Sequence, residues 1–191
     1  MLSTKGVISM ASHTTNSTQS ATRLADLSVG AWTLDAAQSS VGIRHKSMWG
    51  LATINGSFTG VEGEGEILPD VSARGTLTID AASISTKQAK LDTHLRSADF
   101  FDVDKHPAFT FTAGSVVPDS AGTAKVSGQL TVLGIARPLE FTADVSAASP
   151  TDVTLTGEVT VDRGEFGMNW NRAGMLKGLT TVTLALRFTR S

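Results

Sequence analysis

The feature that most constrains this chain is a strict two-residue alternation of apolar and polar side chains, recurring from Trp32 almost to the carboxyl end. Successive side chains on a strand leave opposite faces, so each such row reads as a strand with one dry face and one wet face. Leu139, Phe141, Ala143, Val145 and Ala147 alternate with Glu140, Thr142, Asp144 and Ser146. Val153, Leu155, Val159 and Val161 form a second row, with Gly157 at its one unfilled position, and Val182, Leu184, Leu186 and Phe188 form a third. Shorter rows cover Thr76–Asp80 and Ala108–Ala113, and further strands are expected at Ala31–Asp35, Ser40–Arg44, Thr53–Gly60, Glu62–Leu68 and Val126–Val132. Turn signals at Pro69-Asp70, at Pro118-Asp119 with Gly122, and at Ser149-Pro150 separate them at hairpin distances, which implies antiparallel pairing. The expected fold class is all-β: a closed antiparallel barrel of about eight strands over residues 29–191, in preference to a sandwich. It follows a disordered Ser/Thr-rich tail over residues 1–28.

One segment breaks the alternation. In Thr86–Ser97, Leu91, Leu95 and Ala98 fall at helical spacing, and Ser85 with Gln88 offers a capping box, so one short helix is expected near the barrel mouth. A second helical turn is expected around Arg163–Met168.

Both soluble and membrane barrels carry this period, so composition must say which way the dry faces point. Aromatic residues make up only 6% and tyrosine is absent, which leaves too little for two aromatic girdles. The apolar rows should therefore face inward, and Ala143, Ala147, Gly128 and Gly157 in the inward register should leave a dry space. A net charge of -2 removes the basic footprint of a nucleic-acid binder. The absence of cysteine removes disulfides, thiol catalysis and Cys-based metal sites. No transmembrane segment and no leader-like apolar run are visible, and a cytoplasmic protein is the expectation.

Groups that could carry chemistry are few. His45, His94 and His106 match no metal-ligand spacing, so neither a metal nor another cofactor is expected. Ser85 and Ser97 lie near His94 in sequence but in no strained nucleophile turn. Asp99, Asp102 and Asp104 read as a tight connection whose carboxylates bond backbone amides rather than as a calcium loop. Arg44, Arg96 and Arg172 have the donor fork that suits a phosphate. The glycines at 164, 167, 174 and 178, set among Met168, Trp170, Met175 and Leu176, suit either a gate over an apolar cavity or a closed lid.

The run Leu91-Asp92-Thr93-His94-Leu95-Arg96-Ser97-Ala98-Asp99-Phe100-Phe101-Asp102-Val103, with Lys105, His106, Pro107 and Phe109 behind it, closely resembles the signature of the YceI-like family of lipocalin-like polyisoprenoid-binding proteins. Trp32-Thr33-Leu34-Asp35, Ser39-Ser40-Val41-Gly42, Asp80 to Ile84, Gly128 to Val132, and Asp162-Arg163 with Phe166 to Trp170 support the likeness, which runs from about Ala31 to Arg190. Gln38 stands where the family often has a histidine, and the stretch Lys46 to Gly50 is longer than the family pattern. The resemblance implies a lipocalin-like barrel whose lumen holds a long-chain isoprenoid or similar lipid ligand, with no reaction catalysed and a homodimer left open. The ligand-binding residues expected on this reading are Arg44, His45, Trp49, His94, Arg96, Phe100, Phe101, Phe141 and Trp170, with Arg96 as the head-group candidate because it lies inside the signature run. The alternatives are an enzyme acting on an apolar substrate in the same cavity with His94 or His45 as acid-base, and a filled barrel that docks a partner through its amino-terminal tail or the loop at Met48 and Trp49.

Overall fold

The computed structural model describes residues 24–47, 51–169 and 176–191. Its strands are β1 (Gly30–Leu34), β2 (Ser40–Ser47), β3 (Ala52–Phe58), β4 (Val61–Ile67), β5 (Ala73–Asp80), β6 (Ile84–Ser85), β7 (Ala108–Pro118), β8 (Thr123–Val132), β9 (Ile135–Ser149), β10 (Asp152–Asp162) and β11 (Leu176–Arg190), with helix α1 at Ala89–Arg96. The strands pair in the order β1-β4-β5-β7-β8-β9-β10-β11, and β11 returns to β1, which closes an eight-stranded antiparallel barrel. The remaining strands β2, β3 and β6 extend from β11 in that order.

The extra strands are continuations of barrel strands across sharp bends. On one edge β11 pairs with β10 along its length, while on the other its Phe188–Arg190 end meets β1 and its Thr180–Ala185 portion meets β2. β1 and β2 are thus two halves of one course, broken by a 3-10 turn at Ala36–Gln38. The Asp35 carboxylate caps that turn by accepting from the amides of Ala37 and Gln38. The same pattern joins β3 to β4 across Thr59-Gly60, and β5 to β6 across a turn at Ala81–Ser83 capped by Asp80. These two bends are stitched together by the Asp80 amide donating to the Gly60 carbonyl at 2.9 Å. A Cβ on Gly60 would lie only 2.8 Å from that of Asp80, so the close approach requires glycine.

Arg187 fastens the first bend from outside the barrel. Its side chain donates to both Asp152 oxygens, at 3.0 and 2.5 Å, and its backbone bonds Ser39 and Asp35 on either side of the break. The Arg187 bonds hold the Asp152 carboxyl below the usual carboxylate range.

Helix α1 is shorter than the span Thr86–Ser97 suggests, for a local reason. The backbone amide and hydroxyl of Thr86 both donate to Asp92 Oδ1, at 2.8 and 2.5 Å, and Lys87 takes a φ of +63° that no helix tolerates. Gln88 is the N-cap and makes no side-chain cap bond, so the expected Ser85/Gln88 box does not form. The second turn forms as a 3-10 helix at Arg163–Phe166 and ends at Gly167, whose φ is +77°. Phe58, Phe101 and Phe109 pack ring against ring with centroids 5.1–6.1 Å apart, anchoring the segment behind α1 to the barrel wall. In that segment the carboxylates of Asp99 and Asp102 pair with His94 and Lys105 rather than with backbone amides.

Of the expected tail, residues 1–23 lie outside the described residues. Residues 24–28 lie against the other end of the barrel: Leu27 packs on Trp32, Ile67 and Val153, and the Ser28 amide donates to the Pro150 carbonyl at 2.8 Å. No helix among the described residues is long and apolar enough to cross a membrane.

Gly128 corrects one expectation about space. A Cβ there would fall inside contact distance of the Thr112 carbonyl oxygen and 2.8 Å from Phe111 Cζ, so this glycine admits the Phe111 ring rather than opening the lumen. At the neighbouring irregularity in the β7–β8 register, Gly114 has open space around it. Urea unfolding should show Gly128→Ala destabilising by about 1–3 kcal/mol, as overpacking does. Gly114→Ala should stay within about 0.5 kcal/mol of the native chain.

Candidate functional site

The inward rows of the barrel surround an apolar lumen in two chambers. The larger, about 390 Å³, is lined by β2, β3, β5 and β7 to β11 and roofed by Leu91 and Leu95 of α1 with Phe100 and Phe101 behind it. The smaller, about 150 Å³, lies toward Trp32, Ile67, Val153 and the Leu24–Leu27 segment. Leu77, Phe111, Phe141 and Leu184 border both and form the waist between them, with the Phe111 and Phe141 rings 5.9 Å apart. An apolar cavity of about 150 Å³ is large enough to take up benzene, so even the smaller chamber can hold part of a hydrocarbon chain. Ala143 and Gly157 line it and keep it open, as their small size suggests.

In the larger chamber polar side chains enter the lining at His94 and at the ends of three inward rows. In β2, Val41 and Ile43 point inward, and the same parity continues into His45. In β10, the inward row Val159, Val161 runs on past the end of the strand into Arg163, and in β11 the row Leu184, Val182 continues into Thr180. Register brings these three row ends together, since Val161 lies opposite Thr180 and Thr180 lies opposite His45. His45 Nδ1 and Thr180 Oγ1 share a hydrogen bond of 2.8 Å. His45 is 8% exposed and Arg163 9% exposed. His45 Nε2 and the Arg163 nitrogens Nε and Nη1 are buried without a hydrogen-bond partner among the described residues. Burial lowers the His45 pKa below its ordinary 6.5, helped by the Arg163 charge, against a smaller opposing bond from the Leu179 backbone. Burial likewise lowers Arg163, opposed by the charge of Asp162.

The expected ligand contacts divide between lumen and surface. His45, His94, Phe100, Phe101 and Phe141 line the larger chamber. His94 Nε2 also lies 3.3 Å from Asp99 Oδ2, with its ring edge-on to Phe100. Arg44 is on the outer face, 3.4 Å from Glu158. Arg96 is spent on the fold: its Nε and Nη2 donate to the carbonyls of Ala82 and Ile84 at 2.7 Å each, at the β5–β6 bend. Trp49 and Trp170 lie outside the described residues, as do Arg172 and the central part of the glycine-rich loop. Arg163 was not among the expected contacts, although its odd-numbered place after Val159 and Val161 carried the signal. The filled-barrel alternative required a lumen packed by side chains, and the lumen holds a chamber of about 390 Å³ instead.

The pKa direction of His45 sets a pH dependence of stability. Folding depresses its pKa, so below pH 6.5 the unfolded chain takes up a proton that the folded chain refuses. This contribution is complete above pH 6.5 and is lost as pH falls toward the folded value, at a slope of at most about 1.4 kcal/mol per pH unit. In thermal melts between pH 8 and pH 5, the melting temperature of the wild type should therefore fall relative to that of His45→Gln as pH falls. Parallel curves would show that His45 does not titrate this way.

A family model described as the YceI-like domain matches residues 32–189. UPF0312 proteins of Staphylococcus aureus are 33% identical to this chain over 152 residues, covering 74% of it and 84% of the relative. Among solved structures, BcnA of Burkholderia cenocepacia superposes with a TM-score of 0.73 at 21% identity, covering 81% of this chain and 98% of that one. A polyisoprenoid binding domain from Saccharophagus degradans, implicated in plant cell wall breakdown, superposes with a TM-score of 0.68 at 16% identity, covering 86% and 100%. At those identities the structural likeness establishes the shared barrel, and the family match spans nearly the whole of it. This chain belongs to the YceI-like family.

Proposed function

We propose that this protein binds and carries one long-chain amphiphile, an isoprenoid or similar lipid, along its lumen, and that it catalyses no reaction. The observation that carries the reading is the pair of adjoining apolar chambers, whose shared waist is made of hydrocarbon side chains. A chain threaded through both would exchange water for apolar contact along its length, at about 25 cal/mol per Å² of apolar surface removed from water. Part of that gain offsets the lost motion of ligand and side chains. The name of the Saccharophagus degradans neighbour supports an isoprenoid as the chain.

A second reading keeps one specific observation in its favour. The lumen-facing His45 shares a hydrogen bond with the Thr180 hydroxyl, the arrangement that an acid-base enzyme acting on an apolar substrate would need. On that reading His45→Gln would abolish turnover while ligand binding persisted. The carrier reading expects no turnover of a bound lipid by the wild type.

Chain length tests the carrier reading. Displacement of a lumen-bound fluorescent probe by isoprenoid alcohols of increasing length should show affinity rising with each isoprene unit until both chambers are filled, then levelling. Leu184→Trp, at the waist, should remove the gain from the longer chains while leaving the shortest unaffected. Failure of every alcohol to displace the probe would contradict the proposal.

A further inference from the structure

The larger chamber is lined by hydrocarbon except where His45, His94, Thr180 and Arg163 enter it, and no carboxylate lines it among the described residues. A guanidinium in such surroundings is costly, because burial removes its hydration and only a counter-charge or acceptors can replace it. The nearest acid in sequence, Asp162, lies on the opposite parity of β10, and its Oδ1 accepts from the Gly164 amide at 2.9 Å. Arg163 therefore keeps a positive charge at the chamber wall with Nε and Nη1 unsatisfied.

His45 adds to this. It is held neutral by burial and by Arg163, and Thr180 engages its Nδ1. The neutral ring has two tautomers: a proton on Nδ1 suits the Leu179 backbone and leaves Nε2 an acceptor, whereas Nδ1 accepting from the Thr180 hydroxyl puts the proton on the buried, unpartnered Nε2. An anionic head selects the second, because only then can Nε2 donate to it. In that tautomer the chamber presents a fixed cation and a second N–H donor, in a lining whose other polar side chains are His94 and Thr180. Water could satisfy these donors but not the charge, which Asp162 offsets only in part from its place on the other parity of β10.

We infer that Arg163 and His45 form an oxyanion subsite inside the barrel, which takes the carboxylate or phosphate head of a single-chain lipid whose tail runs through the waist toward the smaller chamber. This rests on the carrier reading and deepens it, by placing the head group within the larger chamber and giving it a negative charge. Arg96, bonded to two backbone carbonyls, holds the α1 end of the fold and leaves the head group to Arg163.

Three ligands with one C20 chain separate the possibilities: geranylgeranyl phosphate, geranylgeranoic acid and geranylgeraniol, titrated by calorimetry into the full chain. At least one anion should bind ten-fold or more tighter than the alcohol, and the tighter anion tells phosphate from carboxylate. Arg163→Met should bring the anions level with the alcohol while leaving the alcohol's own affinity within about two-fold. Its ligand-free melting temperature should equal or exceed that of the wild type, because an unpaired buried charge has been removed. His45→Phe should weaken the preferred anion alone. If wild-type protein binds all three alike, or if Arg163→Met weakens all three equally with a fall in melting temperature, the subsite is overturned and the carrier reading stands. If none of the three binds, both fall.

Discussion

The structure depends on how one strand shares its edge. β11 pairs with β10 along one side, and on the other it pairs first with β2 and then with β1, so a single course of backbone both closes the barrel and extends it. β1 and β2 lie along that edge as two runs, against Phe188–Arg190 and Thr180–Ala185. The chain bends at Ala36–Gln38, where the Asp35 cap replaces the lost ladder bonds and Arg187 ties the bend to β10 through Asp152. The bends at Thr59-Gly60 and Ala81–Ser83 follow from the same need, since each neighbouring strand must turn where its partner turns. The result is a barrel long enough for two chambers end to end, with α1 packed across one end and residues 24–28 against the other.

Much of this was legible in the chain because inward and outward faces differ so sharply. The rows Leu139–Ala147, Val153–Asp162 and Thr181–Thr189 fall within β9, β10 and β11, and the small residues Ala143 and Gly157 do border open space. What alternation does not encode is where a row bends. The Asp35 and Asp80 caps look like ordinary turn residues, and the two-residue strand β6 is too short to show any period. Helix α1 starts late because Thr86 spends its amide and hydroxyl on Asp92, a contact six residues along that no capping rule anticipates. Gly128 sat in the apolar register for a different reason from Ala143, since a Phe111 ring and the Thr112 carbonyl occupy the place of its side chain.

The candidate site was legible in part. Of the residues expected to touch a ligand, His45, His94, Phe100, Phe101 and Phe141 line the larger chamber. Arg96 does not, because the carbonyls of Ala82 and Ile84 at the β5–β6 bend compete for its donors. Arg163 was hidden by its neighbours: a cation that ends an apolar row looks like the start of a surface turn, and only closure of the barrel shows that the row is still facing inward there. Counting parity one step past each apolar row finds His45, Arg163 and Thr180 together. With His94 from α1, these three row-end residues are the polar side chains in the larger chamber's lining.

The central claim is that the lumen exists to hold a lipid chain, and the most direct measurement is native mass spectrometry of the protein purified from its own host, followed by solvent extraction and identification of what is released. The account predicts one single-chain amphiphile per protein molecule, lost on extraction and regained on mixing with a long isoprenoid. A bare protein mass that stays bare after such mixing would contradict it.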